Sequence, residues 1–269
     1  MTTPRLLLFV LLSSCTAKPP IVPPGDGSLA LTLTFSDPEH AKGATGTISD
    51  RLHAAGVAKY STSLHGHEVQ VVAEGFNPGA TTFLTAISTT RGRVSFHRVR
   101  DDPEALMRAW QMRGDEALAG VVPQGAALVS ESRGLIERAI SVVALPGRKL
   151  VVEPPRPGET VFRALIVDEA PEMDGSTVRR VEAGERGGLV LVFSDAGAKA
   201  FAAVTEKLQG HFLAIVVDDQ VWSAPVIREP IRDGRAVVSQ ARPFPVEEVR
   251  LWDLLLRMEP LPSAPVKVK

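Results

Sequence analysis

Three groups of residues have the side-chain types that metal binding or acid–base catalysis requires. His65 and His67 lie two positions apart, so a strand would turn both imidazoles to one face, where a further ligand would complete a metal site. Asp218-Asp219 is a carboxylate pair, but at a predicted hairpin tip such residues serve the turn. Residues 184–188 (GERGG) lack the lysine and hydroxyl of a phosphate-binding loop. We therefore interpret the histidines as exposed and the other two groups as turns, and predict no metal, no cofactor and no enzyme activity.

The single cysteine, Cys15, stands in a context that predicts lipid modification. Arg5 precedes an apolar run, residues 6–12, that suits a signal peptide but is far shorter than the roughly 20 residues that span a bilayer. Leu12-Ser13-Ser14-Cys15 resembles the bacterial lipobox, in which small residues precede the cysteine that is acylated. The resemblance implies that residues 1–14 are a lipoprotein signal peptide. Cys15 would then anchor the protein to a membrane of the cell envelope, facing the periplasm. The alternative is an ordinary cleaved secretory signal.

The composition of the remaining chain is that of a folded protein. Hydrophobic residues make up 44% and charged residues 23% of the 269, which suffices for a core. The net charge of -1 argues against a general affinity for nucleic acid, which requires a basic excess. No later apolar stretch approaches the roughly 18 residues of a transmembrane helix, so we expect none. Residues 15–28, rich in proline and small polar residues, are predicted to be the lipid anchor and a linker.

The next part of the chain shows the periodicities of a small α+β subdomain. Alternating apolar residues predict strands, three-to-four spacing predicts helices, and His65-Gly66-His67 marks a hairpin. The predicted elements are strand 29–35, helix 38–55, strands 59–64 and 68–73, helix 80–88 and strand 93–99. This β-α-β-β-α-β order is that of a ferredoxin-like fold, which we assign to a base subdomain over residues 29–100.

The rest of the chain is predicted to form a connecting region, a head subdomain and a tail. The connecting region, residues 101–160, has a predicted helix at 103–112 and strands at 126–129 and 149–152. Residues 161–262 are predicted to be an α/β head with antiparallel hairpins, and residues 263–269 a tail. In the head, strands are predicted at 162–167, 188–193, 212–217, 221–227 and 236–239, and helices are predicted to start near residues 194 and 246. The whole chain is therefore predicted to be α+β.

Trp222 and Val226 lie on the returning strand of a predicted hairpin in the head. We predict them as contact residues for a partner, because aromatic and apolar side chains anchor interfaces. For Trp222 the competing interpretation is a half-buried strand residue that packs within the protein.

A longer pattern runs through the second half of the chain. Its parts are residues 193–201 (FSDAGAKAF), 213–218 (LAIVVD), 223–227 (SAPVI), 255–257 (LLR) and 261–262 (LP). Upstream, Ile48-x-x-Arg51-Leu52 and residues 68–72 (EVQVV) and 94–99 (VSFHRV) continue it. Together these segments resemble the first periplasmic domain of SecD, a subunit of the SecDF protein-export complex. Gln240 and Glu259-Pro260 depart from the usual residues of that family near the end of the head.

The resemblance implies a non-enzymatic role in binding. In the family this domain is expected to contact exported polypeptides outside the membrane, while transmembrane helices with ionisable residues couple proton flow to movement. We expect no such helices here, so the expected partners are exported polypeptides or the Sec translocon, with the membrane reached through the lipid anchor. The other interpretation is a structural or regulatory lipoprotein that kept the fold and has an unrelated envelope partner.

Overall fold

The chain folds as a mixed α+β protein, which confirms the predicted class. The computed structural model describes residues 21–101, 119–124, 127–142, 146–153, 155, 159–238 and 243–269. The helices are α1 (Pro38–Ala55), α2 (Thr81–Thr89), α3 (Arg133–Val142), α4 (Asp195–Lys207) and α5 (Val246–Arg257). The strands are β1 (Pro24–Thr34), β2 (Lys59–His65), β3 (Glu68–Phe76), β4 (Val94–Arg98), β5 (Val122–Gln124), β6 (Ala127–Ser130), β7 (Arg148–Glu153), β8 (Phe162–Asp168), β9 (Met173–Asp174), β10 (Val178–Ala183), β11 (Leu189–Phe193), β12 (Leu213–Val217), β13 (Gln220–Ser223), β14 (Arg235–Val238) and β15 (Lys267–Val268). In these ranges no helix combines the length and hydropathy needed to cross a bilayer.

The base subdomain is built on a four-stranded antiparallel sheet in the order β15-β1-β3-β2. α1 and α2 pack against it, and Ile48, Leu52, Val69 and Val71 are fully buried in their shared core. α1 has the bounds predicted from the sequence, because Asp37 caps its first turn and Gly56 ends it in the left-handed conformation at φ 85°. The strand order is that of a ferredoxin-like fold, except that β15 fills the last position.

The strand predicted at residues 93–99 is present as β4 but does not complete the base sheet. β4 pairs with β12 and β9 in a different sheet. Its side chains explain this choice, since Val94 and Phe96 are buried in the core of the head and not in that of the base. Periodicity identifies a strand but not its neighbour, so the ferredoxin-like order predicted over residues 29–100 is completed by β15 and not by this strand.

Segments predicted as linker and tail contribute to the base. Val22 is 2% exposed in the base core, and β1 begins at Pro24 instead of residue 29. At the other end of the chain, Thr32 and Lys269 exchange two backbone hydrogen bonds of 2.9 and 3.0 Å. The folded unit therefore begins inside the predicted linker, whose residues 15–20 lie outside the described ranges, and it includes the predicted tail.

An eight-stranded sheet in the order β5-β6-β8-β7-β13-β12-β4-β9 connects the middle of the chain to the head. β6 and β7 confirm the strands predicted at 126–129 and 149–152, whereas the helix predicted at 103–112 lies outside the described residues. α3 packs on this sheet through Ile136 and Ala139, which join a core with Leu150 and Ile166. The connecting region is therefore an integral part of the large sheet.

The core of the head lies between the large sheet and a three-stranded sheet in the order β10-β11-β14. At its centre, the rings of Phe96, Phe193 and Phe201 lie with centroids 4.8 to 5.7 Å apart. Phe201 belongs to α4, which starts at the predicted cap Ser194, whose hydroxyl accepts the Gly197 N–H at 3.2 Å.

α5 lies between the two cores. Leu254 and Leu255 are buried in the base core, whereas Leu256 is buried in the head core, so three consecutive side chains reach opposite sides of the helix. The sequence predicts this helix as part of the head, and its spacing predicts a buried face of Val249, Leu251, Trp252, Leu255 and Leu256, without Leu254. A helix buried on more than one side loses the simple periodicity on which that prediction depends.

Arg51 of α1 is fully buried and joins three segments of the chain. Its Nη1 donates to the carbonyls of Ile87 and Thr90 at 3.0 and 2.6 Å. Its Nη2 donates to the carbonyls of Arg91 and Glu259 at 2.6 and 3.1 Å. Burial lowers the pKa of Arg51 to about 10, so its guanidinium is still charged at neutral pH. Among the described residues the Arg51 Nε has no partner, so the four bonds of the two Nη atoms offset the cost of burying the charge and hold these segments together at one point.

We predict that Arg51→Met lowers the free energy of unfolding by about 3 kcal/mol, because four carbonyls lose their charged donor, including that of the buried Ile87. Urea titration followed by circular dichroism measures the change. Arg133→Met is the matched control, since Arg133 also lies on a helix but its side chain is 64% exposed and pairs with Glu137 on the surface. It should cost less than about 1 kcal/mol. Equal effects of the two substitutions would contradict the role given to Arg51.

Candidate functional site

The residue groups that suggested chemistry in the sequence lie at three separate turns of the structure. Among the described residues, no group of three or more His, Cys, Asp or Glu side chains could hold a metal ion. His65 is exposed at the β2–β3 turn, with its Nε2 3.4 Å from the Ser63 hydroxyl. Residues 185–187 form one turn of 3-10 helix in the loop between β10 and β11. Cys15, the predicted lipidation site, lies outside the described residues.

Asp218 and Asp219 form the tip of the β12–β13 hairpin, as the turn interpretation requires. Both have positive φ, 49° and 63°, which matches the tight turns that favour Asp in the left-handed region. The Asp218 carboxylate accepts the backbone N–H groups of Gly92 and Arg93 at 3.1 and 2.8 Å. Asp219 pairs with Arg91 at 3.1 Å. The two carboxylates therefore fasten the hairpin to the segment after α2.

Trp222 takes part in packing inside the protein. Its ring meets Trp252 of α5 edge to face with centroids 4.2 Å apart, and Phe244 lies 6.1 Å away. Trp222 is half-buried against the head core. This packing against α5 is what the competing interpretation expects of a half-buried strand residue.

Val226 is exposed beside a residue that the sequence did not single out. Phe212 and Val226 form an isolated antiparallel bridge, and each is 41% exposed. We name this pair the Phe212–Val226 patch. Next to it, the side chains of Arg98 and His211 approach each other, with Arg98 Nη2 3.4 Å from His211 Nε2. Phe212 opens the apolar run 212–217, whose other members are buried, so periodicity alone could not distinguish it from core.

A second apolar surface is a groove between α2 and α5 with a volume of about 430 Å³. Its apolar lining comes from Ile21, Ala80, Phe83, Ala86 and Leu251. Polar side chains of the α5 N-terminal turn, including Glu247, also line it. The groove depends on the contact of base and head elements, which the sequence did not predict.

His97 is the buried titratable residue that sequence reasoning missed, because strand 93–99 gave it no ligand-like spacing. It is 1% exposed, with Nδ1 2.8 Å from the carbonyl of Asp168 and Nε2 2.9 Å from the Ser95 hydroxyl. Nδ1 must donate to the carbonyl, so Nε2 accepts from Ser95 in the neutral ring. Burial is the main cause that lowers the pKa of His97, against the opposing effect of its hydrogen bond to Asp168.

We predict that the protein loses stability as the pH falls below the ordinary histidine value of about 6.5. His97 binds a proton more readily in the unfolded chain than in the folded protein, where burial lowers its pKa, so the free energy of unfolding decreases. Urea titrations between about pH 7.5 and 5.5 measure the slope. His97→Gln should flatten it, whereas the exposed His65→Gln should leave it unchanged. A slope that is identical in all three proteins would contradict this assignment.

Comparison with known proteins identifies what this chain is similar to. Residues 152–263 match the family model of the SecDF P1 head subdomain, which begins slightly before the head predicted at 161–262. SecD of Calditerrivibrio nitroreducens is 45% identical over 78 residues, covering 29% of this chain and 14% of that protein. SecD of Dictyoglomus turgidum is 36% identical over 136 residues, covering 47% of this chain and 33% of that protein. The chain therefore spans a third or less of these relatives.

Two solved SecDF structures share the fold over most of the chain. A crystal structure of SecDF in a super-membrane-facing form aligns with 93% of this chain, and the aligned part is 31% of the SecDF chain. The TM-score is 0.56 and the sequence identity is 22%. A second chain, from work on SecDF as a membrane component that enhances protein export, has a TM-score of 0.54 and 23% identity. It is covered over 97% of its length and covers 90% of this chain. Residues 152–263 thus match the SecDF P1 head subdomain, and most of the chain shares the fold of solved SecDF structures.

Proposed function

We propose that this protein is an envelope lipoprotein that binds exported polypeptides, or an export complex that delivers them, without catalysing a reaction. The observation that carries the proposal is the match of residues 152–263 to the SecDF P1 head. A relative of the same fold is described as enhancing protein export.

The exposed apolar surfaces suit this task. A polypeptide that has just crossed a membrane is unfolded and exposes apolar side chains, which gain free energy when a second apolar surface covers them. The Phe212–Val226 patch offers such a surface on the head. The groove between α2 and α5 offers another at the junction of base and head. Each of these surfaces is small, so contact at either one alone is weak and reversible, as a binder that must release its clients requires.

Lipid anchoring at Cys15 would hold these surfaces near the membrane. Residues 16–20 separate Cys15 from Ile21, and Val22 is already buried in the base core. Six Cα-to-Cα steps reach at most about 20 Å, so the folded unit would remain close to the lipid surface. Ile21 also lines the groove between α2 and α5, so under this proposal the groove would lie at the anchored end.

We predict that a photo-crosslinker at position 226 captures exported polypeptides or subunits of the translocon in living cells. Val237 is the matched control, because it is also an exposed valine, at 56%, on a different sheet of the head. Mass spectrometry of the captured chains should show proteins with signal sequences enriched at 226 over 237. In a Cys15→Ser background the protein should leave the membrane fraction and the captured amount should fall.

Two outcomes of the crosslinking experiment would contradict the proposal. Equal capture at positions 226 and 237 would remove the head patch as a contact surface. Capture of one envelope protein without any link to export would support the alternative, a structural or regulatory lipoprotein that kept the SecD-type fold and changed its partner.

A further inference from the structure

β2 is an edge strand of the base sheet, and its free side offers hydrogen-bonding groups. The sheet order β15-β1-β3-β2 leaves β2 with one neighbour. In an antiparallel pair, alternate residues direct their N–H and C=O groups toward the partner, and the residues between them direct theirs away. The hydrogen bonds and registers of this sheet decide which residues of β2 face outward.

The alternation can be followed from the opposite edge. Thr32 exchanges both of its backbone bonds with Lys269, so Thr32 faces β15 and its neighbour Leu33 faces β3. Leu33 is opposite Val69, and the next residue, Gln70, must therefore face β2. Gln70 is opposite Ser63.

Ser63 of β2 thus faces β3, and so do the residues two positions away from it. The residues of β2 that face outward are therefore Tyr60, Thr62 and Leu64. Within the described part of the chain, no backbone group pairs with any of these three.

Nothing in β2 protects this edge in the ways that sheet edges are commonly protected. Protected edges carry a proline, a bulge or a charge in the middle of the strand. β2 reads KYSTSLH, without proline, and its register with β3 is unbroken from Lys59 to His65. Lys59 and His65 stand at its two ends, so its central residues are neutral. The edge is open to another extended chain.

The opposite edge shows what kind of chain the sheet accepts. There, the C-terminal tail is added to β1 as the short strand β15. Val266 donates to the Thr34 carbonyl at 2.8 Å, yet the side chains of Val266 and Val268 are 67% and 44% exposed. The tail is therefore held mainly by backbone hydrogen bonds. Recognition of this kind depends little on the sequence of the added strand.

The side chains of the outward-facing residues favour the same occupant. Tyr60 and Leu64 are opposite Ala73 and Val69, whose side chains are buried beneath the helices, so all four lie on the helix-covered face. Tyr60 is half-buried, while Leu64 is 40% exposed at the edge of the sheet. An added strand would cover Leu64 with its own alternate side chains.

We propose that the free edge of β2 binds an extended segment of an unfolded polypeptide as a fifth strand of the base sheet. This inference rests on the proposed function and names the form in which the client is held. The N–H and C=O groups of Tyr60, Thr62 and Leu64 make the hydrogen bonds, and Leu64 supplies apolar contact. Because the bonds involve backbone groups, the edge accepts clients of unrelated sequence.

Thr62→Pro in the full chain tests the proposal. Thr62 is the central outward-facing residue, so proline removes one outward N–H and obstructs the edge without breaking a bond to β3. Thr62→Val is the matched control, because it changes the side chain and keeps the N–H. The probe is reduced and carboxymethylated α-lactalbumin, whose blocked cysteines cannot re-form its disulfides. Backbone amide exchange measured by NMR locates its binding.

The proposal predicts slower exchange at the amides of Tyr60, Thr62 and Leu64 of the natural chain, by about tenfold when the probe is at ten times its Kd. Thr62→Pro should weaken probe binding by about tenfold, and Thr62→Val should not. Unchanged exchange at the Val71 amide, which faces β1, confirms that the proline variant keeps its sheet.

Binding of the probe without protection of these three amides would overturn the edge assignment and leave the proposed function standing. Protection that appears on self-association, without probe, would overturn it in favour of a second copy of the chain as occupant. Absence of any probe binding would also overturn it, and the crosslinks at position 226 would then decide separately on the proposed function.

Discussion

The buried guanidinium of Arg51 is the interaction on which the arrangement of base and head depends. It satisfies four carbonyls, from the end of α2, from the segment after it, and from Glu259 just beyond α5. A charge removed from water in this way is costly unless its donors find partners. If the three segments moved apart, the guanidinium would be exposed to water or left buried without its hydrogen bonds. Because Glu259 follows α5, Arg51 also fixes the helix whose leucines enter both cores.

The segment after α2 is held from two sides. Arg51 and the N–H of Leu261 bind the Arg91 carbonyl, at 2.6 and 2.9 Å, from the side of the base. From the side of the head, the Asp218 carboxylate binds the N–H groups of Gly92 and Arg93. β4 starts directly after this segment and enters the large sheet. This segment therefore joins the base to the head. The base carries the β2 edge, the head carries the Phe212–Val226 patch, and the groove between α2 and α5 lies at their junction.

The parts of this fold that local sequence determines were predictable. α1 and the start of α4 follow from caps at Asp37 and Ser194, and the β2–β3 hairpin from its turn. The pairing of β4 with β12, the addition of β15 to β1 and the burial of Leu254 depend on contacts between residues far apart in sequence, which periodicity does not encode. For the same reason the exposure of Phe212, the ring that Trp222 meets and the burial of His97 did not follow from the sequence.

The surfaces on base and head can act on one client together only if the two subdomains form one cooperative unit. Native-state hydrogen exchange over a range of low urea concentrations tests this most directly, by comparing β3 in the base with β12 in the head. The account predicts that the core amides of both strands exchange with the same free energy and the same dependence on urea, because they open only when the whole unit unfolds. A base that opens at a clearly lower free energy, with a smaller dependence on urea, would contradict it.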